Sequence, residues 1–282
     1  VTHFVWDPPR EFWTIPVIDY PLVWYGLFFA VGFLAAYLVM RRLVFRESQL
    51  EGKEVALYTD RLLWFAIIGV LAGARIAEVV FYDWPYYREY PIEIFKIWKG
   101  GLASHGGVAG VILSVTLFQL TFGRKKSTIG FLHLLDMLVV PTVLLGAFIR
   151  MGNFFNQEIL GTPSDLPWAI VFAHPLGGGA VVPRHPVQLY AAAFYLVTFV
   201  ALYLVRRTSF RERRGFTLGL CFVWVFTFRF LLEFIKERQE VAPIDPGTFN
   251  MGQTLSIPFI LLGVALLLIS TFSTKKQKKI PT

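Results

Sequence analysis

The residues able to do chemistry stand inside or at the ends of apolar runs. Arg75 and Glu78 lie three apart, Arg229 and Glu233 four apart, so each pair shares one face of a helix. Arg150 closes another apolar run and is followed by Asn153, Asn156 and Glu158. Ser104-His105-Gly106-Gly107 opens a further run, Arg184, His185, Gln188 and Tyr190 another, and Gln253 and Ser256 the last; Tyr25 stands near the start of the first. The arginines Arg75, Arg150 and Arg229 outnumber Glu78 and Glu233, and a guanidinium presents a rigid fork suited to bidentate phosphate contacts. His105 and Tyr25 can move protons. Gly106-Gly107 lets a substrate approach the backbone, and the spacing through Gly110 also permits tight helix packing. A blander reading stands beside each of these: mutual neutralisation of the Arg–Glu pairs, a packing role for His105, and a helix C-cap for Asn153.

The positions of these groups depend on membrane spans. The chain has 282 residues, 55% hydrophobic and 16% charged, with a mean hydropathy of +0.57. Soluble domains run near 45–50% apolar and about 25% charged, so a disordered chain, a coiled coil and an ordinary soluble globule are excluded. A hydrocarbon core needs roughly 20 apolar residues per helix, and seven segments qualify, at about 21–40, 62–81, 102–122, 129–149, 187–205, 216–235 and 252–272. The segments between alternate spans, with the tail, carry 17 of the 27 Lys and Arg residues, among them Arg41, Arg42, Arg46, Arg124 to Lys126, Arg206, Arg207, Lys275, Lys276, Lys278 and Lys279. The positive-inside rule makes that side cytoplasmic. The expectation is an all-α polytopic protein of seven transmembrane helices forming one integral domain over 1–282. Its N-terminus lies outside, with an extracytoplasmic arm over 1–20, and its C-terminus inside. Residues 150–186, rich in Pro and Gly, form a small irregular cap, and 82–101, with Tyr86, Tyr90 and Trp98, an interfacial segment. Topology accounts for the net charge of +8 without nucleic acid. The single cysteine, Cys221, lies mid-span and reads as a small apolar residue.

Charges within a span cost roughly 2.5–3.5 kcal/mol each on insertion scales, so each needs a reason. At 1.5 Å rise per residue, Arg75 and Arg229 fall about 9 Å below their outer span ends. His105, Tyr25, Arg150, Asn153, Asn156, His185, Gln188 and Tyr190 fall at the outer ends of their own spans. Independent structural pairs scatter in depth; a common level indicates a polar cavity in the outer half of the bilayer. Excess arginine there suits the phosphate of a lipid headgroup. Asp136, nearer the inner side, reads as structural.

Five of these segments in order resemble the signature of the bacterial prolipoprotein diacylglyceryl transferases. They are Ser104-His105-Gly106-Gly107, Arg150-Met151-Gly152-Asn153-Phe154-Phe155-Asn156-Gln157-Glu158, Arg184-His185-Pro186-Val187-Gln188-Leu189-Tyr190, Arg229-Phe230-Leu231-Leu232-Glu233-Phe234 and Met251-Gly252-Gln253-Thr254-Leu255-Ser256. Ile149 and Gln157 stand where that family commonly has glycine, Leu160 where it has an aromatic, and Val225 where it has a tyrosine. The resemblance implies a multi-pass enzyme of the bacterial inner membrane whose site faces the periplasmic leaflet. It would transfer diacylglyceryl from phosphatidylglycerol to the lipobox cysteine of a preprolipoprotein signal peptide. His105, Arg150 and Arg229 would be catalytic. Tyr25, Arg75, Gly106, Gly107, Asn153, Asn156, Glu158, Gly161, His185, Gln188, Tyr190 and Glu233 would bind substrate. No cofactor or metal is required, and no Walker loop or metal motif is present. A phosphatidyltransferase would want paired carboxylates for Mg²⁺, and no D-x-x-D cluster appears. A transporter would show inverted repeats with midplane sites, whereas the polar groups here lie toward one surface.

Overall fold

The computed structural model describes residues 2–17, 19–97, 100–101, 103–127, 129–237 and 249–277, and of Tyr20, Ser104, His105 and 272–277 the backbone alone. The expectations placed on Trp98, on the 102 start of the third span, on the His105 side chain and on the Lys275 to Lys279 side chains therefore lie outside what it describes. Six helices are long and apolar enough to cross a membrane: Trp24–Glu47, Lys53–Phe81, Gly106–Lys126, Phe131–Phe155, Val187–Val205 and Met251–Thr271. A seventh apolar helix, Phe216–Leu232, has 17 residues and is about 25 Å long, at the short end of what spans.

The helices run past several expected limits. The first, α1 (Trp24–Glu47), absorbs Arg41, Arg42 and Arg46, and α2 begins at Lys53. After the short α3 (Trp84–Glu89), α4 (Ser104–Phe118) continues through a π-turn over Gln119–Gly123 into α5 (Arg124–Lys126). Next, α6 (Phe131–Phe155) carries Arg150 and Asn153 on a helix where the sequence reading began a loop. The helices α7 (Val187–Val205), α8 (Phe216–Leu232) and α9 (Met251–Gln277) complete the set.

The expectation of an all-α fold with an irregular cap is corrected by five short strands. In one sheet β1 (Phe4–Trp6) runs parallel to β4 (Ile170–Phe172), which pairs antiparallel with β5 (Pro183–Arg184). In the other, β2 (Glu11–Ile15) pairs with β3 (Tyr20–Val23). The 1–20 arm and the 150–186 segment thus share a sheet. Arm pairing is non-local, and no hairpin turn announces it in the sequence.

Two compact units emerge, residues 40–134 and residues 1–39 with 135–282. In the 40–134 unit, α2 and α4 pack backbone to backbone. A Cβ on Gly69, Gly73, Gly106 or Gly110 would collide with the facing helix, so this is small-residue packing of the membrane type. His133 Nε2 lies 2.9 Å from Glu47 Oε2, which gives both groups a partner.

In the other unit, fully buried Asp136 caps α8 from a different helix. Its Oδ2 accepts from Gly215 N at 2.6 Å and its Oδ1 from Leu218 N at 2.8 Å. Those amides are orphans at a helix N-terminus, where negative charge is favoured. The structural reading of Asp136 gains its reason here.

Candidate active site

The end of α6 is built to present polar groups. Its last turn closes in a Schellman motif: Gln157 N donates to Phe154 O at 3.1 Å and Glu158 N to Asn153 O at 3.1 Å. Gln157 takes the left-handed position, with φ 52°. Glycine is the usual choice there, and here the Gln157 side chain contributes instead, its Oε1 accepting from His174 N at 2.7 Å. Behind this turn Phe154, Leu160, Ile170 and Phe172 form a small buried cluster with Trp6, Phe155 and Leu189 against it. Trp6 stacks on Phe154 at 4.5 Å and donates from Nε1 to Phe154 O at 3.1 Å. The β1 arm therefore holds the helix end in place.

A chain of polar contacts leads from this turn to a cation. Arg150 Nη1 donates to Asn153 Oδ1 at 3.1 Å, and Asn153 Nδ2 donates to Glu158 Oε1 at 2.8 Å. Asn156 Nδ2 donates to the same oxygen at 3.2 Å. The buried Asn153 side chain thus bridges Arg150 and Glu158, and the C-cap is made by Gln157. Arg150 has no ion pair among the described residues, so the remainder of its fork is uncommitted. The Tyr25 ring packs on Gly152, where a Cβ would come within 2.8 Å of Cδ2. Gln188, fully buried, donates from Nε2 to Glu158 O at 2.8 Å. A cleft of about 800 Å³ opens beside Asn156, lined also by Asp7, Arg10 and His174.

The segment after α8 is sewn to this region. Gly161 bridges Lys236, Thr162 N donates to Ile235 O at 2.9 Å, and Glu237 N donates to Leu160 O at 2.9 Å. Arg184, buried, donates from Nη1 to Gly161 O at 3.1 Å and pairs with Glu237 Oε1 at 2.9 Å. A Cβ at Gly161 would strike the His185 backbone, so Gly161 serves close packing. Tyr190 accepts from Trp168 Nε1 at 2.8 Å, and its hydroxyl stands 3.5 Å from His185 Nδ1.

Neither Arg–Glu pair is made among the described residues, and Arg75 and Glu233 take other partners. Arg75 donates through Nε to Ile94 O at 2.8 Å and through Nη1 to Gly100 O and Gly101 O at 2.8 and 2.9 Å. Its Nη2 donates to Glu93 O, and its guanidinium lies 4.8 Å from the Tyr87 ring centroid. Gly100 and Gly101 both adopt positive φ, 90° and 70°, which turns their carbonyls inward. Expected at a phosphate, Arg75 instead meets a fork filled by four carbonyls; it clamps the 91–101 loop. Glu233 accepts from Lys236 Nζ at 2.9 Å and from Asn250 Nδ2 at 3.2 Å. Arg229 is left exposed and has no side-chain partner among the described residues.

Gln253 and Ser256 are likewise spent internally. Gln253 Oε1 accepts from Asn250 N while Asn250 Oδ1 accepts from Gln253 N, at 3.1 and 2.9 Å, a reciprocal capping box for α9. Ser256 Oγ donates to Gly252 O at 2.7 Å. Lys236 and Asn250 are the neighbours that the sequence did not single out. Only the Asn-x-x-Gln spacing of the capping box was available as a signal.

The model of one protein family, prolipoprotein diacylglyceryl transferase, matches residues 13–269. The chain belongs to that family. The phosphatidylglycerol–prolipoprotein diacylglyceryl transferase of Tolumonas auensis is 44% identical over 88% of this chain and 90% of its own. Those of Chlamydia pneumoniae and Protochlamydia amoebophila are 38% and 35% identical, covering 97% and 93% of both chains respectively. At Gln157 and Leu160, where the resemblance implied departures from the diacylglyceryl transferase pattern, the turn is kept. Gln157 holds the left-handed cap position by its His174 contact, and Leu160 fills the small cluster with an aliphatic side chain.

Proposed function

We propose that the protein transfers the diacylglyceryl group of phosphatidylglycerol to the cysteine thiol of a prolipoprotein, the first step of lipoprotein maturation. The new bond joins sulfur to the terminal glyceryl carbon. The bond broken joins that carbon to the phosphate oxygen, and glycerol 1-phosphate leaves. A phosphodiester carries one negative charge and the departing monoester two, so charge grows on the phosphate as the bond breaks.

The observation that carries this reading is Arg229, exposed and without a side-chain partner among the described residues. A guanidinium inside an apolar helix is costly without a partner, and its i+4 neighbour Glu233 is already held by Lys236 and Asn250. The headgroup phosphate is the anion that completes it. Arg150, with most of its fork open, is the second grip, and preorganised donors of this kind stabilise charge that develops in the transition state. Asn153, Asn156, Glu158, Tyr25 and Gln188 shape the headgroup site around Arg150. His185 and Tyr190 are proposed to bind substrate with them. Glu233 and Arg75 serve the site indirectly. His105, in the first turn of α4, takes the thiol proton. In this reading the chain has seven spans with the N-terminus in the periplasm, and the site faces the outer leaflet of the inner membrane, where a signal peptide presents its lipobox cysteine. The arm and cap form the periplasmic face.

Purified protein incubated with phosphatidylglycerol and a lipobox peptide is expected to yield a thioether-linked peptide and glycerol 1-phosphate in equal amounts. Peptide recovered unmodified would overturn the reading. Within that assay, Asn153→Ala removes the bridge between Arg150 and Glu158. Hydrogen bonds to charged groups are worth about 1.5–3 kcal/mol, so KM for phosphatidylglycerol is expected to rise roughly tenfold or more. An unchanged KM with only a lower melting temperature would make Asn153 a purely structural residue.

A further inference from the structure

Glu233 follows Arg229 by one helical turn and is its default partner. Three features hold its carboxylate elsewhere. Lys236 Nζ donates to Oε1 at 2.9 Å, with both side chains mostly buried. Asn250 Nδ2 donates to Oε2 at 3.2 Å, and Asn250 is itself locked by its capping box with Gln253. Gly252, in the first turn of α9, leaves the carboxylate room: a Cβ there would lie 2.5 Å from Glu233 Cδ and Oε1. The positive end of the α9 dipole favours a carboxylate at that spot.

We infer that Lys236 is a positioning residue that keeps Glu233 off Arg229, so that the guanidinium stays open for phosphate; the inference rests on the reading of Arg229 as a phosphate grip. Lys236 suits the task because its backbone is pinned by the bridge to Gly161 and by the flanking Ile235 and Glu237 contacts. Its ammonium therefore has a fixed origin. Without it, the mostly buried carboxylate keeps one neutral side-chain donor among the described residues, and a carboxylate so placed seeks a cation. Arg229 stands on the same helix face. A Glu233–Arg229 pair would occupy the fork that the phosphate needs.

The test measures kcat/KM for phosphatidylglycerol with a lipobox peptide. Lys236→Met is expected to lower it about tenfold and Lys236→Arg to retain it. Glu233→Gln added to Lys236→Met is expected to recover most of the loss, because a neutral amide cannot quench Arg229. A purely structural lysine would not be rescued in this way. Gly252→Ala pushes the same carboxylate without touching Lys236, should lower kcat/KM similarly, and should also be relieved by Glu233→Gln. That pair decides the matter if Lys236→Met fails to accumulate. Wild-type kcat/KM in Lys236→Met, or a loss that Glu233→Gln leaves unrepaired while Arg229→Lys is inactive, overturns the inference and leaves the reading of Arg229 standing. Full activity in Arg229→Lys overturns that reading itself.

Discussion

Arg229→Lys is expected to lower kcat/KM for diacylglyceryl transfer by about a hundredfold or more at normal membrane levels. The substitution keeps the positive charge, so a simple electrostatic role predicts a mild effect. A fork role predicts a severe one, because an ammonium is a point charge that cannot make two parallel contacts to a phosphate. The magnitude follows from the cost of losing one preorganised donor in a water-poor site, about 3 kcal/mol, and from roughly 1.4 kcal/mol per tenfold in rate. Arg229 carries no stabilising partner among the described residues that lysine would disrupt, so the folded protein should accumulate normally. Arg150→Ala should fall at least as far, since it also strips Asn153 of its guanidinium donor. Combining the two should cost less than the sum of their separate effects if both hold one phosphate, because groups acting as a unit are not additive. Wild-type turnover in both single variants would remove the arginines from the chemistry.

Much of this was legible from the chain, and the parts that were not share a physical cause. Apolar runs of about twenty residues announce spans directly, and six of the seven expected segments form helices of spanning length. Arg150, Asn153, Asn156 and Glu158 were legible as a cluster because a helix end places neighbours in sequence near one another in space, and they are joined by hydrogen bonds. Pairing by i,i+3 or i,i+4 spacing failed at Arg75 and Glu233 for the opposite reason. Spacing on one helix shows which groups can meet, not which competitors arrive from elsewhere. The carbonyls at 93, 94, 100 and 101 reach Arg75 through a loop turned by two left-handed glycines, and Asn250 reaches Glu233 from the start of another helix. The β1–β4 pairing spans more than 160 residues of chain, and three-residue strands carry too short an alternation to be read. Asp136 shows the remedy: a buried carboxylate mid-sequence is explained by a helix N-terminus arriving from outside its own segment.

His105→Gln is expected to reduce turnover by 10²–10⁴-fold at pH 7, the usual worth of a positioned general base. The nucleophile belongs to the substrate, and a free thiol with a pKa of about 8.5 is only a few per cent ionised at neutral pH. An imidazole with an ordinary pKa of about 6.5 is mostly neutral there and able to accept the proton. The competing account gives the ionisation to the arginines, whose positive field favours the thiolate without any base. The two separate in the pH profile. Wild type should lose activity as pH falls through the imidazole range, because a protonated ring cannot act as a base. His105→Gln keeps a polar side chain but no base, so its rate should follow the thiolate fraction. It should climb nearly tenfold per pH unit from pH 6 toward the thiol pKa, flatten above it, and narrow the gap to wild type at the alkaline end. A variant that keeps near-wild-type rate at pH 7 would assign the thiolate to the arginine field. A large loss with no alkaline recovery would make His105 an orienting residue whose proton-accepting capacity is not used.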